Sequence, residues 1–223
     1  MTALRAIVFD FDGVIADSEA PANRVLAECL SEIGLATSYD DALDLYCGHR
    51  WADCIERIEA RLGRPLPERF VEDCQARTWE RVQREIVAVP GIAEFLDRCA
   101  HLPRAVASSS ATDWLEGVLA RLGLGHHLEE RLFSAAGLAR GKPHPDIYLR
   151  AAEGLGIAPA ECAAIEDSPI GVAAAVAANM RVIGLCAASH IRPGHDERLL
   201  AAGAHHVAHS YREVEGLLFG DAR

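Results

Sequence analysis

The sequence predicts an α/β protein in which a doubly wound parallel sheet carries a small inserted domain made only of helices. Three observations support this prediction. Residues 4–9 form an apolar run with strand character, and from Val87 onwards short β-like runs alternate with helical segments. Such alternation is typical of a parallel sheet with helices on both faces. Between Ser18 and Glu85, by contrast, apolar residues recur only with helical spacing.

The boundaries of these elements follow from apolar runs and turn signals. Residues 17–87 are predicted to form a helical cap domain, and residues 1–16 joined with 88–223 to form the α/β core. Within the cap, turns are expected at Gly34 and at Gly63-Arg64-Pro65. In the core, strands and helices are expected in alternation at Ala105–Ser108, Thr112–Leu122, Ala163–Ile165, Ile170–Ala178 and Arg181–Leu185.

Composition and charge restrict the possible partners. A formal net charge of −11 over 223 residues argues against binding to nucleic acid or to an anionic membrane surface. No apolar run approaches the length of a membrane span, and we expect no signal peptide, because Met1-Thr2-Ala3 leads directly into the first predicted strand. The seven cysteines form no CxxC pair and are odd in number, which is typical of reduced thiols. We therefore expect a cytoplasmic protein that is a monomer or a weak homodimer.

Two aspartates end the first predicted strand. Because residues two apart in a strand point to the same side, Asp10 and Asp12 are expected to converge just past its carboxyl end. Two carboxylates beside a buried strand need a metal ion or a shared proton to offset their charge. A calcium loop is the simplest alternative, but it would require a preceding helix and a glutamate where Pro21 or its neighbours stand.

Three further clusters follow predicted strands or lie in a rigid loop. Ser108 ends the second strand, Lys142 lies in the Gly- and Pro-rich loop 141–146, and Glu166-Asp167 ends a third strand. Each has an ordinary structural explanation, such as a helix cap, a solvated surface charge or a favourable charge at a helix start. Together they indicate a site, because the carboxyl ends of parallel strands share one edge where ligands bind.

These motifs resemble those of the haloacid dehalogenase superfamily of phosphohydrolases. The matching motifs occur in the family order, as DFDGV at 10–14, Ser108 after a strand, GKPHPD at 141–146 and EDSPIG at 166–171. The resemblance spans nearly the whole chain. It is strongest to the branch with a small helical cap, which contains sugar-phosphate phosphatases and β-phosphoglucomutase. It implies a Rossmann-like core and a Mg²⁺ cofactor.

The resemblance also implies a role for each motif residue. Asp10 is implied to be the nucleophile, Asp12 the general acid and base, and Ser108 and Lys142 the phosphate-binding residues. The implied metal site comprises Asp10, Asp12 through its carbonyl oxygen, Glu166 and Asp167. These roles agree with the chemistry, because a carboxylate approaches a phosphoryl group only when cations and hydrogen-bond donors offset its charge. Ser109 is expected to add a donor to the substrate phosphate.

Other members of the superfamily catalyse different reactions. Haloacid dehalogenases lack the acid found here at Asp12, and phosphonate-cleaving relatives need a cap lysine that residues 17–87 do not contain. In the mutase, a histidine and an arginine stand where this chain has Ala22 and Trp51. Hydrolysis through an aspartyl-phosphate is therefore favoured, and a phosphosugar mutase is the alternative. A non-catalytic phosphate-binding regulatory module is a further alternative, although Asp10, Asp12, Lys142 and Asp167 are all retained.

The expected substrate is a small phosphorylated metabolite. The tail at 184–204 is similar to that of sugar-phosphate and 6-phosphogluconate phosphatases, which suggests a phosphorylated sugar or sugar acid. Cap residues are expected to select it, and the candidates are Asn23, His49, Arg50 and Arg77. Each of these residues has a solvated helix face as its alternative interpretation. The ten histidines, including His126-His127 and His205-His206, are interpreted as surface residues, and no zinc site is assigned.

Overall fold

A computed structural model describes residues 3–128 and 131–220. In these residues six strands form one parallel sheet in the order β3-β2-β1-β4-β5-β6. The strands are β1 Ala6–Phe9, β2 Arg104–Ser108, β3 Leu132–Ser134, β4 Cys162–Glu166, β5 Arg181–Leu185 and β6 His206–Ala208. The change of direction in strand order falls at β1, which pairs with β2 on one side and β4 on the other. The predicted doubly wound α/β fold is confirmed.

Helices connect and cover these strands. Four of them, α1 Glu19–Glu32, α2 Tyr39–Tyr46, α3 Trp51–Leu62 and α4 Phe70–Glu85, follow β1 directly. The others are α5 Ile92–Arg98, α6 Thr112–Leu122, α7 Gly125–Leu128, α8 Asp146–Leu155, α9 Pro169–Ala177, α10 His195–Ala201 and α11 Tyr211–Phe219. Among the described residues, none of the helices is both long enough and apolar enough to cross a membrane.

The central strand is apolar because both of its faces are covered. All four residues of β1 are buried, and they alternate between two hydrophobic clusters. Ile7 and Phe9 belong to the cluster that includes α5, α6 and α11, whereas Ala6 and Val8 belong to the cluster that includes α8 and α9. A strand buried on both faces places the residues that follow it at an edge shared with its neighbours.

Helices α1 to α4, called the helical insert below, have a hydrophobic cluster of their own. Its buried members include Leu30, Ile58 and Cys74, and none of them belongs to the two sheet clusters. This separate cluster supports the division of the chain into a core and a cap domain at residues 17–87, which stays a prediction.

The predicted boundaries agree closely with the structure where strands are buried. Helix α6 and strand β5 have the predicted bounds, β2 and β4 extend by one or two residues, and α9 begins and ends one residue earlier. Strands β3 and β6 were not predicted. Each has only three residues, and β6 begins at the exposed His206, so neither forms a buried apolar run.

Candidate active site

The predicted motif residues meet at the carboxyl edge of the sheet. Asp10 directly follows β1, Ser108 is the last residue of β2, and Glu166 is the last residue of β4. Lys142 reaches the same place from the loop that precedes α8. This arrangement follows from the parallel topology, because strands that run in one direction end on one side.

Three carboxylates form a buried acidic cluster there. Asp10, Glu166 and Asp167 each place a carboxylate oxygen within 4.8 Å of the other two. The ammonium nitrogen of Lys142 lies 2.9 Å from Oδ1 of Asp10 and 2.6 Å from Oε1 of Glu166. All four side chains are almost fully buried. Because the cluster contains three carboxyl groups and one ammonium group, positive charge from Lys142 cannot balance it when all three are ionised.

Glu166 is held by protein donors on both of its oxygens. Oε1 accepts hydrogen bonds from Lys142 and from the hydroxyl of Tyr148, at 2.6 and 2.7 Å. Oε2 accepts from the backbone N–H and the hydroxyl of Ser168, both at 3.0 Å. Burial acts to raise the pKa of Glu166, but Lys142 and these donors outweigh burial and lower it. Glu166 therefore stays ionised and fixes the position of Lys142.

The other two carboxylates are less fully compensated, since Asp10 is paired with Lys142 alone among the described residues. Burial, followed by repulsion from Glu166, raises the pKa of both Asp10 and Asp167 well above the usual value. Oδ2 of Asp167 is buried and has no hydrogen-bond partner among the described residues. Gly13 leaves room for it, since a β-carbon at that position would lie 1.8 Å from Oδ2. A buried cluster of carboxylate oxygens, one of which has no hydrogen-bond partner among the described residues, suits a divalent cation such as Mg²⁺.

Asp12 lies apart from the acidic cluster, on the wall of a cavity of about 790 Å³ between the helical insert and the sheet edge. Its carboxylate accepts hydrogen bonds from the hydroxyls of Ser18 and Ser110, at 2.5 and 2.6 Å. The indole N–H of Trp114 donates a third, at 3.1 Å. Three donors from different segments fix the carboxylate while leaving it in contact with the cavity.

The family follows from comparison with known proteins. A family model described as haloacid dehalogenase-like hydrolase matches residues 4–179. The chain belongs to this hydrolase family. It is 34% identical over 182 residues to hexitol phosphatase B of Escherichia coli (strain K12), covering 80% of this chain and 82% of that protein.

The chain is also similar to a second curated phosphatase and to a solved structure. It is 24% identical over 194 residues to 6-phosphogluconate phosphatase of Escherichia coli (strain K12), covering 86% of this chain and 87% of that protein. The structure of a putative β-phosphoglucomutase from Bacteroides vulgatus superimposes with a TM-score of 0.78 at 26% identity. That match covers 95% of this chain and 86% of the other.

The predicted phosphate-binding serines of the hydrolase differ in their contacts. Ser108 is buried at the end of β2, and its hydroxyl oxygen accepts a hydrogen bond from the backbone N–H of Ser110. The hydroxyl of Ser109 donates to the carbonyl oxygen of Gly48 in the helical insert. Ser109 therefore uses its side chain to join the insert to the core, and its role toward the substrate phosphate stays a prediction.

Three of the four candidate substrate-selecting residues line the cavity. Asn23, His49 and Arg50 lie on its wall. Arg77 does not line it, and instead forms ion pairs with Glu28 and Glu32 on the surface of the insert. Its side chain is 39% exposed. The solvated-face alternative accounts for Arg77.

The interpretation of the histidines as surface residues is wrong for His190. This residue is buried, and its Nε2 lies 3.1 Å from Oδ2 of Asp167 without the geometry of a hydrogen bond. Burial lowers the pKa of His190, so its imidazole is neutral. Nearby, Nε2 of His195 lies 2.6 Å from the carbonyl oxygen of Asp167. Both histidines come from the loop after β5 and the start of α10, whose polar sequence gives no sign that it reaches the acidic cluster.

Ser110, Trp114 and Tyr148 were also absent from the predicted site. Ser110 belongs to the serine triplet 108–110 at the end of β2. This triplet is the feature of the sequence that could have indicated a role for Ser110. Trp114 and Tyr148 occupy positions in α6 and α8 where an apolar aromatic residue is expected to pack in the core. Their polar atoms instead reach Asp12 and Glu166.

Proposed function

We propose that this hydrolase is a Mg²⁺-dependent phosphatase that cleaves monoesters of small phosphorylated sugars through a phosphorylated Asp10. The observation that carries the proposal is the position of Lys142 between Asp10 and Glu166, with Asp167 beside them. A buried ammonium group next to a carboxylate with an elevated pKa is suited to binding a dianionic phosphoryl group.

The protein groups around the phosphoryl oxygens would offset their charge. Lys142 supplies a fixed positive charge, and Ser108 supplies a hydroxyl at the same edge of the sheet. Mg²⁺ would add positive charge at the phosphoryl oxygens, and Asp10, Asp167 and the carbonyl oxygen of Asp12 would hold it, because Mg²⁺ prefers a few oxygen ligands from the protein. Glu166 acts on this set by holding Lys142 in place.

The first step transfers the phosphoryl group to the enzyme. A carboxylate oxygen of Asp10 forms a bond to phosphorus while the bond from phosphorus to the ester oxygen breaks. Asp12, in its protonated form, donates its proton to the departing oxygen, which leaves as an alcohol. The result is an aspartyl-phosphate at Asp10 and an ionised Asp12.

The second step regenerates the enzyme. Asp12 takes a proton from a water molecule, whose oxygen forms a bond to phosphorus as the bond to the Asp10 oxygen breaks. Inorganic phosphate is released and Asp12 is protonated again, so charge and protons balance over the cycle. The hydrogen bonds from Ser18, Ser110 and Trp114 hold Asp12 in one place for both proton transfers.

Residues on the cavity wall favour hydrolysis over a mutase reaction. A mutase must hold a bisphosphate intermediate and return its phosphoryl group to a second hydroxyl. Ala22 and Trp51, which replace the histidine and arginine of the mutase, both line the cavity and supply neither a proton carrier nor a cation. Water is then the acceptor. Fast conversion of β-glucose 1-phosphate to glucose 6-phosphate without free phosphate would contradict this choice.

The proposal is tested by measuring phosphate release from a panel of sugar phosphates with purified protein and Mg²⁺. We expect turnover that EDTA abolishes, and loss of turnover in Asp10→Asn with the fold retained. Asp73→Asn is the matched control, because Asp73 is an exposed aspartate in α4 whose one ion pair among the described residues is with Arg69. Turnover that survives EDTA contradicts the metal requirement, and turnover that survives in Asp10→Asn contradicts the role of Asp10.

A further inference from the structure

The cavity beside Asp12 has an acidic wall. Its lining includes the carboxylates of Asp12, Glu19 and Asp113. Of the described lining residues, Arg50 alone is a lysine or arginine. Asp12 carries its proton when it faces the leaving group, so Glu19 and Asp113 are the carboxylates of the lining that the rest of a substrate meets, beyond its phosphoryl group.

Arg50 does not offset this charge, because its guanidinium is already paired with the carboxylate of Asp53. Its Nε and Nη2 donate to the two carboxylate oxygens of Asp53, at 2.9 and 2.8 Å. Its Nη1 donates to the carbonyl oxygen of Leu138, at 2.7 Å. A paired fork of this kind is among the strongest side-chain interactions. The glycine at 141 gives it space, since a β-carbon there would lie 2.5 Å from Nε of Arg50.

His49 does not supply a cation either. It lines the cavity, and burial, followed by the charge of Arg57, lowers its pKa to about 4. The imidazole is neutral at physiological pH and offers one donor and one acceptor.

Glu19 is the buried acid of this wall. It is 9% exposed and lies in the first turn of α1. The side-chain amide of Asn23 donates to its Oε2 at 2.6 Å and to its backbone carbonyl at 2.9 Å. Burial, followed by the charge of Asp12, raises its pKa to about 7. A second anion nearby would raise the energy of its charged form further, whereas hydroxyl groups can donate to it.

The rest of the wall is largely aromatic. Trp51, Trp79 and Trp114 all line the cavity. Trp79 and Trp114 pack edge to face with ring centroids 5.6 Å apart. Rigid aromatic faces with few polar atoms suit the C–H surface of a sugar or polyol chain.

We propose that the cavity selects an uncharged polyol or sugar as the leaving group, and that Glu19 is the residue that discriminates against leaving groups carrying a carboxylate or a second phosphate. This inference rests on the proposed phosphatase function and narrows its substrate class. The sequence suggested a phosphorylated sugar or a phosphorylated sugar acid as the substrate. This inference selects the phosphorylated sugar.

The test compares two esters that differ only at the end remote from phosphate. Sorbitol 6-phosphate ends in a hydroxymethyl group, and 6-phosphogluconate ends in a carboxylate. At pH 8, where Glu19 is mostly ionised, we expect kcat/KM to be at least tenfold higher for sorbitol 6-phosphate. In Glu19→Gln, which keeps the size of the side chain and its contact with Asn23, we expect this ratio to fall at least threefold.

A matched control and the possible outcomes distinguish a failure of this inference from a failure of the proposed phosphatase function. Glu28→Gln changes another glutamate of α1, which is exposed and outside the cavity, and should leave the ratio unchanged. Equal kcat/KM of the wild type on both esters, or an unchanged ratio of the two values in Glu19→Gln, overturns the selection by charge. Neither result contradicts the phosphatase function. No phosphate release from any ester, p-nitrophenyl phosphate included, overturns the phosphatase function and this inference with it.

Discussion

Gly13 and Asp167 are so close that a β-carbon on residue 13 would lie 1.8 Å from Oδ2 of Asp167. The two residues are distant in sequence and follow neighbouring strands, β1 and β4. The glycine thus makes room for a buried carboxylate oxygen that has no hydrogen-bond partner among the described residues. This contact links the first sequence motif to the last one and gives Gly13 a steric as well as a conformational role.

We expect Gly13→Ala to destabilise the protein more than Gly34→Ala. Both glycines have positive φ, +82° and +90°, so each alanine carries a similar backbone strain of about 1–2 kcal/mol. Only at residue 13 does the new methyl group collide with another side chain, which adds about 1–3 kcal/mol. Urea denaturation of both variants measures the difference. Equal losses of unfolding free energy would show that Asp167 moves aside without cost.

Burial explains which parts of the fold and site could be predicted from sequence. Asp10 and Glu166 end strands buried on both faces, so a continuous apolar run pointed to each of them. Ser110 and Trp114 reach Asp12 from 98 and 102 residues away. No local pattern records such a contact, because it depends on how α6 packs after the sheet has formed.

Lys142 should be important for stability as well as for catalysis. We expect Lys142→Met to lower the unfolding free energy by about 3–5 kcal/mol, because Asp10 and Glu166 lose their buried partner. Arg140→Met is the matched control, since it removes a nearby pair with Asp146 whose arginine is 55% exposed. That pair is screened by solvent, and its loss should change stability little. Similar losses in both variants, measured by urea denaturation at pH 8, would contradict the assignment.

The raised pKa of Asp10 predicts a pH-dependent stability in metal-free protein. Its folded-state pKa lies above the unfolded value of about 4, so the folded state binds the extra proton. Stability is therefore present at low pH and is lost as pH rises from about 4 through the raised pKa. Asp10→Asn removes this loss. In EDTA we expect the variant to be more stable than the wild type at pH 8, and by a smaller margin at pH 5.

Asp73→Asn serves as the control for this measurement as well. Because Asp73 is exposed and paired with Arg69, its substitution should not alter the effect of Asp10 on stability. Added Mg²⁺ should reverse the order at pH 8, because a cation bound by Asp10 stabilises the wild type by mass action. A wild type that gains stability steadily between pH 5 and pH 8 without metal would show that Lys142 outweighs both burial and Glu166 at Asp10.

The hydrogen-bond donors to Asp12 predict which substrates are cleaved with lower kcat/KM when one donor is removed. Ser110→Ala removes one of its three hydrogen bonds, worth about 1 kcal/mol, so we expect about fivefold lower kcat/KM on a sugar phosphate. The sugar alkoxide is a poor leaving group and needs the proton from Asp12, whereas p-nitrophenolate leaves without one. Because kcat/KM reports the step up to the first phosphoryl transfer, p-nitrophenyl phosphate should be much less affected. Ser31→Ala, in the helical insert and away from Asp12, should change neither value. An equal loss on both esters would mean that Ser110 acts on the phosphoryl group and that the proton donor has to be sought elsewhere on the cavity wall.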